Sequence, residues 1–431
     1  MLAYASIVFS PLIIVAFVRP ETDHSFVYTV GKNLALVGFA MFALQFVVSA
    51  RLRWIERPFG LNLLFSFHKT MAVVASLLVL SHPLLLVLGG GERSLVFGPE
   101  VSWHIWLGRF ALVGLLFHVL LASFRLIIRL NYETWRIIHN LVAVMFLPLA
   151  FLHSWKAGGD LELPAMRVLW VVLFASATVA YFWHRVARPL TLRRQPYTVT
   201  DVRKEADGVW SVALTPPAGV ERFDFQPGQF HFLTFRRAAH LPVEEHHWTI
   251  SSSPTEKGVL RTTIKESGDF TATIGETKPG DTALVCGPFG RFSYMLHPEE
   301  RNLVFIAGGI GITPLMGMLR HMRDTRAAHT VTLFYGNTSE QDIAFRDELA
   351  GMEQSGVASL KVVHILSKPS PEWHGDRGRL DEATVAKLCG PLCPDRSFYV
   401  CAPPPAMNQT NRVLRRAGVS PGRIHFERFS L

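Results

Sequence analysis

The chain has 431 residues, of which 49% are hydrophobic and 18% are charged, and its formal net charge is +9. This length allows two or three domains, and the apolar residues are concentrated in roughly the first 190 positions, which indicates a membrane region there. Because no basic tract is interleaved with aromatic residues, the positive charge does not indicate a nucleic-acid partner.

Six apolar stretches in the first part of the chain are long enough to cross a bilayer. They lie at about 2–18, 31–50, 67–88, 104–124, 138–155 and 166–186. The first stretch lacks a basic start and a small-residue cleavage site, which favours an uncleaved helix over a signal peptide. We therefore predict a six-helix transmembrane bundle over residues 1–190.

The loops between these stretches differ in charge. The loops after the second, fourth and sixth stretches are basic, with Arg51, Arg53, Arg57, Arg125, Arg129, Arg136, Arg185, Arg188, Arg193 and Arg194. The other three are acidic or mixed, with Glu21, Asp23, Glu92, Glu100, Asp160 and Glu162. Since basic loops stay in the cytosol, we predict a multi-pass protein of the cell (inner) membrane, surrounded by the lipid bilayer, with both termini cytoplasmic.

Four histidines in the apolar stretches form two matched pairs. His68 and His82 lie in the third stretch, and His139 and His153 lie in the fifth, fourteen residues apart in each case. Fourteen residues of α-helix rise ~21 Å and complete nearly whole turns, so both members of a pair face the same way at two depths. Ionisable side chains at membrane depth are usually functional. We predict that the four histidines bind metal, as two bis-imidazole haem sites, with His68 and His139 at an inner level and His82 and His153 at an outer level.

A third pair keeps an alternative open. His104 and His118, in the fourth stretch, are also fourteen residues apart, so periodicity alone permits haem ligation by the third and fourth helices. His104 follows Trp103 at the predicted membrane interface, where a histidine costs little free energy. This position favours the third and fifth helices as the source of the ligands.

The four cysteines, Cys286, Cys389, Cys393 and Cys401, all fall in the predicted cytosolic part. A reducing compartment argues against disulfide bonds there. Because the spacing of Cys389 and Cys393 does not match a zinc or iron–sulfur site, we predict a structural role for both.

The pattern of the chain changes after Arg194. From about 197 to 295, short alternating runs are separated by proline and glycine, which predicts an antiparallel β-barrel. From about 302, buried apolar runs alternate with helical segments, which predicts an α/β Rossmann-like domain. We place these two domains at 191–298 and 299–431, with strands at 197–202, 209–214, 229–235, 259–264, 303–307, 331–335, 360–366 and 397–401.

A glycine-rich turn follows the predicted strand at 303–307 and opens a helix. It contains Gly308, Gly309 and Gly311, followed by Thr313 and Pro314. Glycines let the backbone approach a pyrophosphate, and the helix N-terminus supplies free N–H donors. Such a turn is weak evidence by itself, and its place about sixty residues after the segment 247–252 strengthens it.

Several motifs resemble those of ferredoxin–NADP reductase-like proteins. The segment His247-Trp248-Thr249-Ile250-Ser251-Ser252 is similar to their flavin-binding signature, nearest to the form in NADPH oxidases, and Gly308 to Pro314 is similar to their nicotinamide-nucleotide turn. Further similar segments are Ile264-Lys265 with Gly268-Asp269-Phe270-Thr271, Gly287-Pro288-Phe289-Gly290 and Tyr399-Val400-Cys401-Ala402-Pro403-Pro404. The membrane part resembles the ferric reductase-like transmembrane domain, whose haem histidines lie on the third and fifth spans. With the motifs and the membrane part taken together, the chain resembles bacterial members of the NADPH oxidase and ferric reductase superfamily.

The resemblance implies FAD, two b-type haems, and NADPH or NADH as the electron donor. It implies haem iron bound by His68, His82, His139 and His153, and flavin or nucleotide contacts at His247, Trp248, Thr249, Ser251, Ser252, Lys265, Gly268, Thr271, Gly308, Gly309, Gly311, Thr313, Pro314 and Cys401. It also implies catalytic roles for Cys401 beside the nicotinamide and for Phe429, a C-terminal aromatic that shields the flavin. Phe426 is the alternative shield.

The implied activity is electron transfer from cytosolic NAD(P)H to a small-molecule acceptor outside, with O2 giving superoxide. The alternatives are a ferric-chelate reductase and an electron-transfer subunit for a periplasmic oxidoreductase. No obligatory protein subunit is evident from the sequence. A transporter with a regulatory nucleotide domain explains the histidine pairs poorly.

Three positions depart from the family pattern. Trp248 replaces a proline–phenylalanine step, Ala402 replaces a glycine, and Thr338 stands where an arginine often contacts the 2′-phosphate of NADPH. Without that cation, we predict that NADH and NADPH are used within about tenfold of each other. Cations near enough in sequence to replace it are Arg320, Arg323 and Arg346.

Overall fold

The computed structural model describes residues 2–18, 24–125, 127–157, 159–389 and 395–427. The chain forms two compact units, Met1–Arg188 and Pro189–Leu431. Each unit is described by itself.

The first unit is helical. Its helices are α1 (Leu2–Val18), α2 (Phe26–Ser49), α3 (Arg53–Phe59), α4 (Leu61–Leu88), α5 (Ser94–Phe97), α6 (Trp103–Phe124), α7 (Tyr132–Ala157) and α8 (Pro164–Phe182), which continues through a π turn into α9 (Arg188–Arg194). Within the described residues, five helical stretches are long and apolar enough to cross a membrane: α2, α4, α6, α7 and Pro164–Arg194. Because α1 has only 17 residues, the predicted sixth span stays a prediction.

The interior of this unit is narrow, and much apolar surface faces outwards. Trp170 on α8 is fully buried, stacks on Phe39 of α2 with ring centroids 5.0 Å apart, and donates from Nε1 to the Ser154 hydroxyl of α7 at 2.9 Å. In contrast, large side chains such as Leu77 and Val113 are more than 60% exposed. A soluble protein rarely exposes such continuous apolar faces, whereas a helix surrounded by lipid does.

The second unit begins with a six-stranded antiparallel sheet. Its strands are β1 (Tyr197–Ala206), β2 (Val209–Thr215), β3 (Phe230–Arg236), β4 (Glu245–Thr249), β5 (Leu260–Lys265) and β6 (Thr282–Phe289), in the order β4-β3-β6-β1-β2-β5. Strand β1 begins with the expected alternation, since Tyr197 and Val199 are buried while Thr198 and Thr200 are exposed. An isolated antiparallel bridge joins Ile250 to Thr262 beside the two outermost strands. The antiparallel sheet is confirmed, and closure into a barrel stays a prediction.

A parallel sheet with flanking helices follows. Its elements are β7 (Asn302–Gly308), α10 (Ile312–Thr325), β8 (Thr330–Asn337), α11 (Arg346–Gln354), β9 (Lys361–Leu366), β10 (Asp376–Arg377), α12 (Glu382–Cys389), β11 (Ser397–Cys401), α13 (Pro404–Arg416) and β12 (Ile424–Phe426). The strand order is β10-β9-β8-β7-β11-β12. The chain therefore switches sides between β7 and β11, and α/β sheets bind ligands at the carboxyl ends of the strands at such a point.

Two of the four cysteines are placed by the structure. Cys286 and Cys401 are buried and form no disulfide bond among the described residues. The side chain of Cys389 and the whole of Cys393 lie outside the described residues, so their structural role stays a prediction.

Candidate functional site

The predicted outer histidines are oriented by backbone carbonyl groups of neighbouring helices. Nδ1 of His82 on α4 lies 3.0 Å from the carbonyl oxygen of Gly31 on α2, and Nδ1 of His153 on α7 lies 2.9 Å from the carbonyl oxygen of His104 on α6. Because a carbonyl only accepts, Nδ1 carries the proton in both rings, and Nε2 keeps its lone pair for a metal ion. Histidines that bind haem iron need this tautomer.

Gly108 of α6 makes room for the ring of His153. A methyl group at Gly108 of α6 would lie only 2.6 Å from two ring atoms of His153. The His82 and His153 rings lie near enough to each other to interact electrostatically. The two side chains therefore lie in the same part of the bundle, and their shared iron site stays a prediction.

The predicted inner histidines are also close together. The ring centroids of His68 on α4 and His139 on α7 are 6.2 Å apart. Two imidazoles on one iron atom, with metal–nitrogen bonds of ~2 Å, have centroids roughly 6 Å apart. This separation fits a bis-imidazole site.

His118 joins the inner group. Its Nε2 lies 2.9 Å from Nδ1 of His139, so it contacts the same atom of His139 that a backbone carbonyl contacts in His153. His104, in contrast, offers the outer group its carbonyl, while its ring packs edge-on against Trp103 at 5.9 Å. These contacts favour α4 and α7 as the ligand helices and give α6 the role of orienting them.

A cleft of about 1200 Å³ opens in the second unit. It is lined by β4, by the end of β5, and by the carboxyl ends of β7 and β8. The predicted contact residues that line it are His247, Trp248, Thr249, Lys265, Thr271, Gly308, Gly309 and Thr313. The predicted contacts Ser251, Ser252, Gly268, Gly311, Pro314 and Cys401 do not line it.

Thr249 provides the sharpest test of whether a flavin fits. Its side chain is 3% exposed, and its hydroxyl has no hydrogen-bond partner among the described residues. A buried polar group left unpaired costs ~1–3 kcal/mol, so a hydroxyl that lines the cleft calls for a ligand that bonds to it. The neighbouring Trp248 stacks on Phe270 with centroids 5.8 Å apart and planes inclined by 26°. This pair forms an aromatic wall beside Thr249.

The serines that follow Thr249 bond within the protein. The Ser251 hydroxyl lies 2.9 Å from that of Thr263, and the Ser252 hydroxyl accepts from the Arg261 N–H at 3.1 Å. Arg320 of α10 donates to the Ser251 carbonyl at 2.7 Å. The side chains of both serines are buried and occupied, and their predicted contact with a cofactor remains untested.

The glycine-rich turn has the geometry of a phosphate-binding turn. Gly309 has a left-handed φ of +54°, with open space where a side chain would stand. A Cβ atom at Gly311 would lie 2.1 Å from the carbonyl oxygen of Cys401, so no side chain fits there. Glycine is therefore needed at the two positions for different reasons. Gly309 adopts a left-handed backbone conformation beside the cleft, and Gly311 allows the start of α10 to pack closely on β11. The Thr313 hydroxyl donates to the Ile310 carbonyl at 3.0 Å and stabilises the same turn.

The structure places the two predicted catalytic residues differently. Cys401 is 0% exposed within the core, and its burial, together with the charge of Glu427, raises the pKa of the thiol well above its ordinary value. The thiol is therefore protonated at neutral pH. Phe429 lies outside the described residues. Phe426 is 43% exposed on β12 and does not line the cleft.

The sequence prediction missed two cations in the cleft, Lys368 and Arg379. The backbone N–H of Lys368 donates to the Thr338 carbonyl at 2.8 Å, which brings it beside the position of the absent arginine. Neither side chain has an ion-pair partner among the described residues. Sequence signals were weak, because Lys368 lies thirty positions beyond Thr338. It follows β9, whose carboxyl end adjoins that of β8.

The nearby charges considered from the sequence are not available in the cleft. Arg320 and Arg323 both form ion pairs with Glu348. Arg346 does not line the cleft. Glu340, an acidic residue two positions after Thr338, accepts a hydrogen bond from the Ser370 hydroxyl at 2.7 Å.

Comparison with known proteins gives matches in both units. A model of the ferric reductase like transmembrane component matches residues 34–150, and a model of the oxidoreductase NAD-binding domain matches residues 305–412. Two relatives match about half of the chain. The sulfhydrogenase 1 subunit gamma of Pyrococcus furiosus is 29% identical over 231 residues, which are 53% of this chain and 75% of that protein. The sulfhydrogenase 2 subunit gamma of the same organism is 30% identical over 219 residues, or 48% and 72%.

One solved structure is similar over nearly the whole chain. It is a flavohemoglobin from Malassezia yamatoensis, with a TM-score of 0.51 and 16% identity, covering 97% of this chain and 98% of that one. At that identity, the similarity concerns the fold alone.

Proposed function

The chain belongs to the NADPH oxidase and ferric reductase superfamily, and from its ferric reductase-like membrane domain and its ferredoxin–NADP reductase-like module we propose an electron path. Electrons pass from cytosolic NAD(P)H through FAD and two b-type haems to an acceptor on the outer side. The proposed domains are residues 1–190 for the haems, 191–298 for FAD and 299–431 for the nucleotide. The proposed topology has six spans, with α1 as the first, and both termini in the cytoplasm.

The observation that carries this proposal is the arrangement of four histidines from α4 and α7 in two separate groups. His68 and His139 form one group, with centroids 6.2 Å apart. His82 and His153 form the other, and both present an unprotonated Nε2. Two such groups, fourteen residues or ~21 Å apart along the same two helices, are what a relay across a bilayer requires.

The residues of the second unit have distinct tasks in this proposal. When bound, FAD supplies the step between two-electron hydride chemistry and one-electron transfer, and the haems supply one-electron transfer. The Thr249 hydroxyl bonds the flavin, and Trp248 with Phe270 walls its pocket. The turn at Gly308 and Gly309 receives the nucleotide pyrophosphate against the N-terminus of α10. Lys368 and Arg379 face the far end of the nucleotide.

We propose O2 as the acceptor, with superoxide as the product. A ferric chelate is the second candidate, and an outer oxidoreductase partner is the third. The two gamma-subunit relatives are by name parts of larger enzymes, which supports keeping a partner protein among the candidates.

The test uses the full-length protein purified in detergent. Haem is quantified as the pyridine complex, and flavin is quantified after extraction. We expect two low-spin haems and one FAD per chain, and haem reduction when NADPH is added without oxygen. One haem per chain, or a high-spin spectrum, contradicts the paired-histidine proposal.

Admission of oxygen then identifies the acceptor. We expect dye reduction that superoxide dismutase abolishes. Dye reduction that is insensitive to dismutase, with turnover that ferric chelates stimulate, identifies a ferric reductase. Reduced haem that neither acceptor reoxidises points to a protein partner.

A further inference from the structure

A second group of metal-ligating side chains lies away from the cleft in the second unit. His297 and Glu300 belong to the segment between β6 and β7, and His425 lies on β12. Nε2 of His425 is 2.9 Å from one Glu300 carboxylate oxygen. The rings of His297 and His425 are in contact, with centroids 4.0 Å apart and planes inclined by 31°. One ligand atom from each of the three side chains lies within 4.8 Å of the others.

We propose that His297, Glu300 and His425 bind a divalent transition-metal ion, with Zn²⁺ as the best match. Two imidazoles and one carboxylate are a common ligand set for this ion, at bond lengths of ~2.0–2.2 Å. Ligand atoms at tetrahedral angles are then roughly 3.4 Å apart. The 2.9 Å between His425 Nε2 and the Glu300 oxygen is a hydrogen-bond distance, and it lengthens by about 0.5 Å when an ion takes the place of the shared proton.

His297 is the side chain that has to move. It is 32% exposed, and among the described residues its ring contacts the tilted His425 ring and lies 3.9 Å from the Glu299 carboxylate. No hydrogen bond of the described residues holds the ring. A rotation that brings one ring nitrogen closer, from within 4.8 Å to roughly 3.4 Å of the other ligand atoms, completes the set of three ligands and leaves a fourth position for water.

The site has a supporting residue of the kind that metal ligands usually have. The Tyr399 hydroxyl, on the adjacent strand β11, donates to the second Glu300 oxygen at 2.7 Å. Tyr399 is fully buried, and Glu300 and His425 are only 7% and 15% exposed. Hydrogen bonds from such a partner fix the orientation of a ligating carboxylate. The first Glu300 oxygen is therefore held toward the histidines.

A bound ion would tie two distant parts of the chain together. His297 and Glu300 follow the antiparallel sheet, while His425 lies on the last described strand. This site is separate from the proposed electron path, so its test does not depend on which acceptor the protein uses. The alternative is that Glu300, His425 and Tyr399 form a hydrogen-bonded group without metal, in which case His297 contributes nothing to ion binding.

The experiment measures zinc uptake by full-length protein in detergent. The protein is treated with chelator, dialysed against micromolar ZnCl2, and analysed for zinc per chain by mass spectrometry. We expect one zinc per wild-type chain, and a rise in the unfolding temperature on zinc addition. His297→Ala should bind zinc at least about tenfold more weakly and lose the rise, and Tyr399→Phe should bind about tenfold more weakly.

The control is His374→Ala, which removes an exposed histidine outside the group and should leave zinc binding unchanged. His297→Ala removes no hydrogen bond to Glu300, so an unchanged haem spectrum and flavin content check that it folds. Equal zinc uptake by wild type and His297→Ala, or no uptake by wild type, overturns the proposal.

Discussion

The membrane unit and the reductase unit position their functional side chains by different means. In the membrane unit, each candidate ligand comes from a different turn of a long helix, and His82, His139 and His153 are each oriented by a group on another helix, such as the Gly31 carbonyl for His82. In the reductase unit, most candidate contacts come from two short segments, β4 and the turn after β7, whose local geometry already exposes them to the cleft.

This difference predicts different responses to substitution. In the membrane unit, loss of an iron ligand should remove a whole haem. Substitution of the residue that orients the ligand should leave the haem content unchanged when that residue contributes only its backbone carbonyl. In the reductase unit several weaker contacts share one ligand, so single substitutions give graded losses. Four variants test this contrast.

His153→Ala should have the largest effect. Removal of this ligand should lower haem from two to one per chain, while NADPH still reduces the flavin, because the flavin segment is not part of the outer group. The matched control is His104→Ala, which keeps the carbonyl that orients His153 and should retain both haems. Haem is measured as the pyridine complex. Haem loss in His104→Ala with both haems retained in His153→Ala would place the ligands on α6.

Much of the fold follows from local sequence, because hydrophobic period sets strand and helix positions. The predicted strand at 397–401 coincides with β11, and the predicted helix in the fourth stretch matches α6. Strands β4 and β6 were missed for physical reasons. The sequence Glu245-His246-His247-Trp248-Thr249 has no apolar alternation and becomes a strand by pairing with β3. Strand β6 ends in Gly287-Pro288-Phe289, which reads locally as a turn.

The site was predictable where its chemistry is local and not where it depends on contacts between distant residues. The turn at Gly309 and the segment at Thr249 carry recognisable local geometry. His118 became a partner of His139 only through the packing of α6 on α7, and Lys368 reached Thr338 only through the pairing of β8 with β9. The spacing of residues along one helix indicates the depth of their side chains in the bilayer and the direction in which they point. It does not indicate which helices are neighbours.

Glu348→Gln should have the second largest effect, on stability. Arg320 is 5% exposed, forms a bidentate ion pair with Glu348 at 2.9 and 2.6 Å, and donates to the Ser251 carbonyl. Breaking the pair leaves a buried guanidinium uncompensated, and since Glu348 is partly exposed we expect a loss of about 2 kcal/mol. The loss of stability is measured by heating the full-length protein and following the rise in fluorescence as flavin is released. Arg346→Ala, outside the pair, is the control.

The same pair predicts a pH dependence. Burial alone would raise the pKa of Glu348, but the hydrogen bond and charge of Arg320 outweigh it and lower the pKa below its ordinary value. The stabilisation is therefore complete above the unfolded-state pKa of about 4.3 and is lost as the pH falls through the lower folded-state pKa. The difference between wild type and Glu348→Gln should disappear in that acidic range. If the difference in stability between wild type and Glu348→Gln stayed constant down to pH 3, the ion pair would not be its cause.

Lys368→Ala should have a smaller effect, on the choice of donor. One exposed charge-assisted contact to the 2′-phosphate is worth about tenfold in affinity. We expect kcat/KM for NADPH to fall by about tenfold, with kcat/KM for NADH unchanged, so that the variant uses both equally. Lys361→Ala, an exposed lysine of β9 that does not line the cleft, is the control. Thr338→Arg should shift the preference back toward NADPH. Equal losses for NADH and NADPH would show that Lys368 does not contact the 2′-phosphate.

His118→Ala should have the smallest effect and bears most directly on the contrast between the units. Its Nε2 contacts Nδ1 of His139, so we expect it to orient a ligand without being one. Both haems should remain, and the reduction potential of the inner haem should shift by about 60 mV, the equivalent of a tenfold change in relative stability. His118→Gln, which keeps a hydrogen-bonding group, should restore much of the potential. Redox titration measures the reduction potential, and electron paramagnetic resonance shows whether both low-spin haems remain. If His118→Ala instead holds one haem, the inner site uses α6 for a ligand, and the two levels of the relay are built from different helix pairs.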